Sequence, residues 1–253
     1  MYKNSIITAT NSLYYDSLLT LISSIHKTSI NIIDQIFVYN LGLSDLEINN
    51  LKRIKKVTIL EFSDTDKNLH PKFMEPKSYV YKIYCMKQGS NFSENILWID
   101  SGAMLLKSCE NIFDIIQKNG IFLVGDNHKN KDYTHSDCLK IMCATEKEIN
   151  DFQLWAGVVG YNKTKYFNFI NEAFKYAMIP GCLDGNQENH RHDQSILSIL
   201  ASRYEIDRHN IDIYGYWTDI NRNLNKAINI GSIIFAHRRG HLDIKDIIYD
   251  QIN

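Results

Sequence analysis

Short apolar runs alternate with amphipathic segments through the first half of the chain, and this alternation limits the possible folds more than any other feature. Four runs have strand length and are apolar almost throughout: SIITAT (5–10), QIFVYN (35–40), VTILEF (57–62) and ILWID (96–100). Three intervening segments have the periodicity of amphipathic helices: 13–27, 44–54 and 78–88. Strands that are apolar on both faces are typical of parallel sheets covered by helices on both sides. The sequence therefore predicts an α/β fold with a mainly parallel sheet.

The second half continues this pattern less regularly. We predict helices at 109–120, 164–178 and 192–203, and strands at 121–127, 154–162, 211–217 and 232–237. Residues 126–150 are polar and have no clear period, so we expect a long surface loop there. Only three prolines occur and no repeat is found, so a flexible linker between domains is not expected.

The charge balance and the cysteines argue against several classes of protein. Lys and Arg number 28 against 29 Asp and Glu, so a net charge of −1 provides no field that attracts nucleic acid. The five cysteines are odd in number and none stands at CxxC spacing, which argues against a disulfide framework and a structural zinc site. No signal-peptide pattern and no run of eighteen apolar residues occur. We expect a cytoplasmic protein, with peripheral contact to the inner face of the membrane left open.

One carboxylate, Asp100, directly follows the apolar run ILWI and precedes the small residues Ser101 and Gly102. Ligands of open α/β sheets bind outside the carboxyl ends of the strands, where this side chain is expected. A carboxylate at that position is suited to coordinate a divalent cation, which in turn neutralises phosphate oxygens. The alternative is that Asp100 only caps a helix that follows the strand.

Two further segments contain candidate functional residues. Asp193 opens an apolar helical pattern, where the helix dipole is expected to keep its carboxylate ionised. Asp193 is interpreted either as a helix cap or as a carboxylate that acts on a substrate. Lys82 lies in the aromatic segment YVYKIYCM, and its ammonium is expected to reach an anionic ligand or Asp100, unless it is solvated on an exposed face.

In order and spacing, these segments resemble the nucleotide-sugar-dependent glycosyltransferases of the GT-A type, and most of all family 8 and its bacterial relatives. The resemblance extends from residue 5 to about residue 240. It rests on the following residues: Thr8, Asn11 and Tyr14 after the first strand, Lys82 between aromatic residues, Asp100 at a strand end, Ala156-Gly157-Val158, Asp193-Gln194, and His237 after the last strand. The second acid of the family's Asp-x-Asp motif is replaced here by Gly102.

The resemblance implies a role for each of these residues. The implied catalytic residues are Asp193 and Gln194. The implied donor-binding residues are Thr8, Ala9, Asn11, Tyr14, Lys82, Asp100, Ser101, Gly102, Trp155, Gly157 and Arg238. The implied protein ligands of a divalent cation, Mn²⁺ or Mg²⁺, are Asp100 and His237. Because Gly102 supplies no acid, two interpretations stay open: a cation held by these two residues and the substrate diphosphate, or a site that no longer depends on tight metal binding.

The resemblance further implies a glycosyltransferase that moves a sugar from a UDP- or GDP-linked donor to a glycan or glycolipid acceptor, as in polysaccharide or lipopolysaccharide biosynthesis. Family 8 favours a retaining reaction. A single GT-A-like domain over 1–253 is expected, with a nucleotide-binding half at about 1–125 and an acceptor-side half at about 126–253.

Two alternatives to this function stay open. The first is a non-catalytic carbohydrate-binding or partner protein that has kept the fold. The second is a sugar nucleotidyltransferase, although TATNSLYYDS contains neither the glycine nor the lysine that the phosphate loop of that class requires.

Overall fold

A six-stranded sheet forms the centre of the molecule in a computed structural model that describes residues 1–250. The strands of both sheets are β1 (Tyr2–Thr10), β2 (Gln35–Asn40), β3 (Val57–Leu60), β4 (Ser93–Ile99), β5 (Ala103–Leu105), β6 (Ile121–Lys129), β7 (Phe152–Asn162), β8 (Tyr216–Trp217) and β9 (Ile234–Ala236). The large sheet has the order β3-β2-β1-β4-β7-β6. Its first four strands are parallel, whereas β7 runs antiparallel to both neighbours. The predicted α/β fold with a mainly parallel sheet is confirmed.

Helices connect the strands and cover both faces of the large sheet. They are α1 (Tyr15–Ser29), α2 (Asp45–Leu51), α3 (Asp64–Lys67), α4 (Val80–Gly89), α5 (Glu110–Asn119), α6 (Asn130–Tyr133), α7 (Ser136–Ile141), α8 (Glu146–Asn150), α9 (Lys163–Ala177), α10 (Asp193–Arg203), α11 (Ile211–Tyr214) and α12 (Leu224–Ile230). Short 3-10 helices occupy Ser12–Tyr14 and Pro76–Ser78. Among residues 1–250, no helix is both long and apolar enough to cross a membrane.

Two hydrophobic cores lie on opposite faces of the sheet. Because successive strand residues point to opposite faces, Ile6 of β1 joins one core and Ile7 joins the other. The face of α1 that carries Leu18, Leu21 and Ile25 packs into the Ile6 core, while α4, α9 and α10 contribute to the Ile7 core. Each such side chain stabilises the fold by about 1.5–3 kcal/mol through removal of its apolar surface from water.

A small second sheet brings a distant part of the chain to the end of β4. Its order is β5-β9-β8, with Ala103 of β5 opposite Ala236 of β9. Since β5 begins three residues after Asp100 and β9 ends one residue before His237, this pairing places the two segments side by side. The sequence did not predict β5 or this sheet.

Local sequence signals mark the helix ends. Ser44 and Glu47 form a capping box at the start of α2. Gly120 ends α5 in the left-handed conformation, with φ of 87°, and its N–H donates to the Ile116 carbonyl.

Two element predictions are wrong. Residues 126–150 are not a long loop, because β6 extends to Lys129 and α6, α7 and α8 follow. Residues 211–217 are not one strand: Asn210 caps α11 by accepting a hydrogen bond from the Asp212 N–H, and only Tyr216 and Trp217 are extended in a sheet. Capping by a side chain outweighs the alternating apolar pattern here.

Candidate functional site

An ion-pair network joins three polar side chains at the carboxyl edge of the large sheet. Nζ of Lys82 lies 2.9 Å from Oδ1 of Asp100 and 3.0 Å from Oδ2 of Asp193. The side chains of Lys82 and Asp193 are only 4% and 5% exposed, whereas that of Asp100 is 44% exposed. One buried ammonium therefore holds two carboxylates, of which one faces solvent.

The ion-pair network affects the pKa values of its two buried members, Lys82 and Asp193. Burial alone lowers the pKa of the Lys82 ammonium, but Asp100 and Asp193 outweigh burial and raise that pKa. Burial raises the pKa of the Asp193 carboxyl, and the attraction of Lys82 offsets this only in part. Lys82 is thus the counter-ion of the Asp193 carboxylate, in addition to the predicted effect of the helix dipole.

Three separate elements supply the network. Lys82 lies in the first turn of α4, which follows Tyr79 in the left-handed conformation with φ of 57°. Asp193 is the first residue of α10, and its neighbour His192 stacks on the Tyr79 ring with centroids 5.3 Å apart. No capping hydrogen bond from a side chain is present at this helix start. The helix-cap interpretation of Asp193 is therefore wrong.

Asp100 directly follows β4 and leads into a tight turn. Its carbonyl accepts from the Ala103 N–H at 3.0 Å, and the chain continues into β5. The helix-cap interpretation of Asp100 is therefore wrong as well. Oδ1 accepts a hydrogen bond from Nε1 of Trp98 at 2.7 Å in addition to its contact with Lys82. Of the two carboxylate oxygens, Oδ2 is the one left for a ligand among the contacts of residues 1–250.

The backbone of Arg238 occupies the space beside Gly102. A Cβ added to Gly102 would lie 2.8 Å from the Arg238 carbonyl oxygen and 3.0 Å from its Cα. The Arg238 N–H donates to the Gly102 carbonyl at 2.7 Å, which fixes this close approach. Glycine is needed here because any side chain would displace backbone. An acid at position 102 is incompatible with this arrangement.

His237 is buried, and neither ring nitrogen has a hydrogen-bond partner within the described residues. Burial lowers the pKa of the imidazole to about 4, with a smaller effect from the neighbouring His241. The neutral ring can act as a metal ligand, which is the one feature here that favours a cation.

The remaining donor set does not fit a tightly held divalent cation. Asp100 offers one oxygen beside a permanent ammonium, and position 102 has no side chain. No group of three His, Cys, Asp or Glu side chains in residues 1–250 is arranged around a common point. Mn²⁺ and Mg²⁺ prefer several oxygen ligands.

The end of β1 contributes polar atoms without partners. Oγ1 of Thr8 and Oδ1 of Asn11 are buried and make no hydrogen bond within the described part of the chain. Tyr14 follows in a 3-10 helix, and the guanidinium of Arg239 lies 5.4 Å from the centre of its ring. Ala9 is buried between these residues. Thr8, Asn11 and His237, which have such unpartnered atoms, all belong to the site predicted from the sequence.

Gly157 and Trp155 lie beside this edge, because β7 runs antiparallel to β4 and the Asp100 N–H donates to the Gly157 carbonyl at 2.9 Å. A Cβ added to Gly157 would lie 2.2 Å from the Trp155 ring, and one added to Gly215 would lie 2.3 Å from it. The indole of Trp155 takes the space beside Gly157, so that space is not open to a ligand.

Gln194 contacts residues that sequence reasoning did not place in the site. Its Nε2 donates to Oε1 of Gln153 at 2.8 Å and lies 3.4 Å from Oδ2 of Asp126. Asp126 in turn contacts Nδ1 of His128 at 2.7 Å. The position of Asp126 near the end of an apolar strand, as for Asp100, is the signal that could have identified it.

Several sequence-predicted residues thus converge. The network holds Lys82, Asp100 and Asp193 together, and the turn after Asp100 contains Ser101, which is buried, and Gly102, which contacts Arg238.

No protein-family profile matches the chain, and a search of curated proteins finds no match. Solved structures do match. The bifunctional glycosyltransferase WbbM superposes with a TM-score of 0.62 at 14% identity over 93% of this chain, which spans about half (46%) of the WbbM chain. Galactosyltransferase LgtC in complex with donor and acceptor sugar analogues superposes with a TM-score of 0.58 at 10% identity, over 92% of this chain and 86% of LgtC. An active-site mutant of LgtC gives the same values. The chain therefore has the GT-A type of fold that these glycosyltransferases share.

Proposed function

We propose that the chain is a glycosyltransferase that moves a sugar from a nucleoside diphosphate donor to a hydroxyl group of an acceptor. The observation that carries the proposal is the group of buried polar atoms on Thr8, Asn11 and His237 that have no partner among residues 1–250, together with the buried ion pair between Lys82 and Asp193. A buried polar atom without a partner costs about 1–3 kcal/mol, so these atoms are expected to find partners in a ligand. They surround the strand ends where ligands bind in open α/β sheets.

The nucleotide part of the donor is proposed to lie against the end of β1. Thr8, Ala9, Asn11 and Tyr14 line this end of the strand and the 3-10 helix after it. The diphosphate would then extend toward the turn at Asp100. This arrangement assigns the nucleotide to the half of the chain at about 1–125 and the acceptor side to the half at about 126–253.

Asp193 and Gln194 are proposed to act on the transferred sugar. The Asp193 carboxyl is buried and paired with the Lys82 ammonium, so a negative charge on it acts at short range without screening by water. It would stabilise the positive charge that develops on the sugar as the diphosphate leaves. Gln194, half-buried and bound to Gln153, is suited to donate to or accept from sugar hydroxyls. A retaining outcome is proposed from the resemblance to family 8.

The proposed donor is UDP- or GDP-linked, and the proposed acceptor is a glycan or a glycolipid. The presence of donor and acceptor sugar analogues in the LgtC structure supports a reaction between two such substrates. The same proposal includes a cytoplasmic location, or one at the inner face of the membrane, and a role in polysaccharide or lipopolysaccharide synthesis. The proposal does not include a bound divalent cation, because the potential metal ligands around Asp100 do not fit one.

A non-catalytic carbohydrate-binding protein is the second candidate, since Gly102 replaces an acid of the family motif. It would bind the same ligands at the same place. Consumption of the donor separates the two candidates, because only the enzyme releases a nucleoside diphosphate.

Thermal unfolding with a panel of nucleotide diphosphate sugars tests the binding part of the proposal. A ligand at 100 times its dissociation constant adds about 2.7 kcal/mol to the free energy of unfolding. For a chain of this size, the melting temperature should rise by roughly 5–10 °C. Asn11→Ala should reduce the shift, whereas Lys118→Ala, which changes an exposed lysine of α5, should leave it unchanged. The proposal fails if no sugar nucleotide in the panel raises the melting temperature.

A further inference from the structure

The proposed function requires positive charge beside the leaving diphosphate, and the network around Lys82 does not provide it. The Lys82 ammonium is already compensated by Asp100 and Asp193, so these three groups together carry a charge of about −1 when both acids are ionised. A diphosphate that approached Asp100 would meet this negative balance. Another cation must therefore lie close to the turn at residues 100–102.

We propose that the guanidinium groups of Arg238 and Arg239 neutralise the donor diphosphate and that donor binding does not require a divalent cation. This inference rests on the proposed function. It adds that the two arginines supply the positive charge that family members with two acids take from a metal ion.

The backbone of Arg238 is held directly against the turn that follows Asp100. Its N–H donates to the Gly102 carbonyl at 2.7 Å, and its carbonyl accepts from Oγ of Ser17 in α1 at 2.8 Å. Arg238 is in the left-handed conformation with φ of 60°, which is uncommon for a residue with a side chain. A residue held from both sides in such a conformation has a fixed position between Asp100 and the start of α1.

The same contact explains why the second acid is absent. A Cβ at position 102 would lie 2.8 Å from the Arg238 carbonyl oxygen, so this chain accommodates either the acid or the arginine segment, but not both in the present geometry. The segment thus brings two arginines beside the turn where family members have a metal-binding carboxylate.

The two guanidinium groups are available to an anion. Both residues are exposed, and neither forms an ion pair with any residue in 1–250. In contrast, Arg203, Arg208 and Arg222 each contact a carboxylate. A guanidinium binds phosphate oxygens through two parallel hydrogen bonds, so it can replace a metal ion in neutralising the diphosphate. Arg239 is further placed over the ring of Tyr14, a residue of the proposed donor site.

Calorimetric titration of the full chain with UDP, GDP, ADP and CDP tests this inference. Each nucleotide is titrated in the presence of a chelator and again with excess Mn²⁺. At least one nucleotide should bind with dissociation constants that agree within about twofold in the two conditions. Arg238→Gln and Arg239→Gln should each weaken that binding about tenfold or more in chelator, because each removes charge-assisted hydrogen bonds.

Arg53→Gln is the matched control. Arg53 is an exposed arginine between α2 and β3, and it precedes β3 at the opposite edge of the sheet from Asp100. This substitution removes the same charge and should leave nucleotide affinity unchanged. Equal melting temperatures of the three variants in the absence of nucleotide establish that they are folded.

Each outcome decides the inference. Binding that requires Mn²⁺, or binding that is unchanged in Arg238→Gln and Arg239→Gln, overturns the inference and leaves the proposed glycosyltransferase function intact. An equal loss of nucleotide affinity in Arg53→Gln also overturns the inference, because the loss would then result from the change in overall charge. Absence of binding for all four nucleotides in both conditions overturns the proposed function, and the inference with it.

Discussion

Substitution of Lys82 by methionine removes the counter-ion from a buried carboxylate while it keeps much of the side-chain volume. Breaking a buried ion pair by removing one partner costs about 3–5 kcal/mol, because the remaining charge is left uncompensated. Asp193 is almost completely buried and provides most of this cost. Asp100 is partly exposed, so water compensates its charge after the substitution. For a chain of this size, Lys82→Met should lower the melting temperature by roughly 6–20 °C.

The stability that Lys82→Met loses should depend on pH, and the Asp193 carboxyl sets the direction of this dependence. Burial raises the pKa of this carboxyl in the folded chain, and loss of Lys82 raises it further. The folded variant therefore holds a proton that the unfolded chain releases, and the variant loses stability as pH rises through the folded pKa. The difference between wild type and Lys82→Met should be largest at neutral pH and should shrink as pH falls.

Urea unfolding at neutral and acidic pH measures both effects. Asp193→Asn combined with Lys82→Met should recover part of the lost stability, because no uncompensated charge then remains. A loss below about 1 kcal/mol for Lys82→Met, with no dependence on pH, would refute the reasoning, since it would mean that the ammonium is hydrated and exposed.

Three further predictions concern packing and pH. Gly102→Ala should cost about 1–3 kcal/mol in urea unfolding, because its Cβ meets the Arg238 backbone; an unchanged midpoint would show that this segment gives way easily. Gly157→Ala should cost a similar amount through displacement of the Trp155 ring, and its near-ultraviolet circular dichroism should change; an unaltered tryptophan signal would count against the observed packing. Burial lowers the pKa of His190 to about 4, so the unfolded chain binds a proton that the folded chain does not. His190 alone should therefore lower the free energy of unfolding by about 2–3 kcal/mol between neutral pH and about pH 4.5, and His190→Gln should show a shallower decline; equal slopes would mean that His190 does not contribute.

Much of the fold follows from local sequence signals. The strands around Ile7, Phe37 and Trp98 are apolar on both faces, and a helix with one apolar face follows each of the first two. Capping residues such as Ser44 and Gly120 fix helix ends without help from distant contacts. The antiparallel direction of β7 has no such signal, because strand direction depends on which strands pair over long sequence separations.

Residues of the candidate site could be predicted from the sequence, whereas the contacts between them were harder to predict. Spacing identified Lys82, Asp100 and Asp193, but the contact between Lys82 and Asp193 joins residues more than a hundred positions apart through two helix starts. The reason for the glycine at position 102 was likewise hidden, since it depends on the backbone of Arg238, which follows β9 of the small sheet. Trp155 covers Gly157 because both face the same side of one strand, two residues apart, a feature that periodicity could have indicated.

Donor turnover measures the central claim, that the edge around Lys82 transfers an activated sugar. The wild-type chain and Asp193→Asn are incubated with a panel of nucleotide diphosphate sugars and glycan acceptors, and release of nucleoside diphosphate is followed by mass spectrometry. The wild type should consume at least one donor. The folded Asp193→Asn variant should bind that donor with similar affinity and should show a turnover lower by about a hundredfold or more. Absence of turnover by the wild type with every donor, or equal turnover in the variant, would contradict the account.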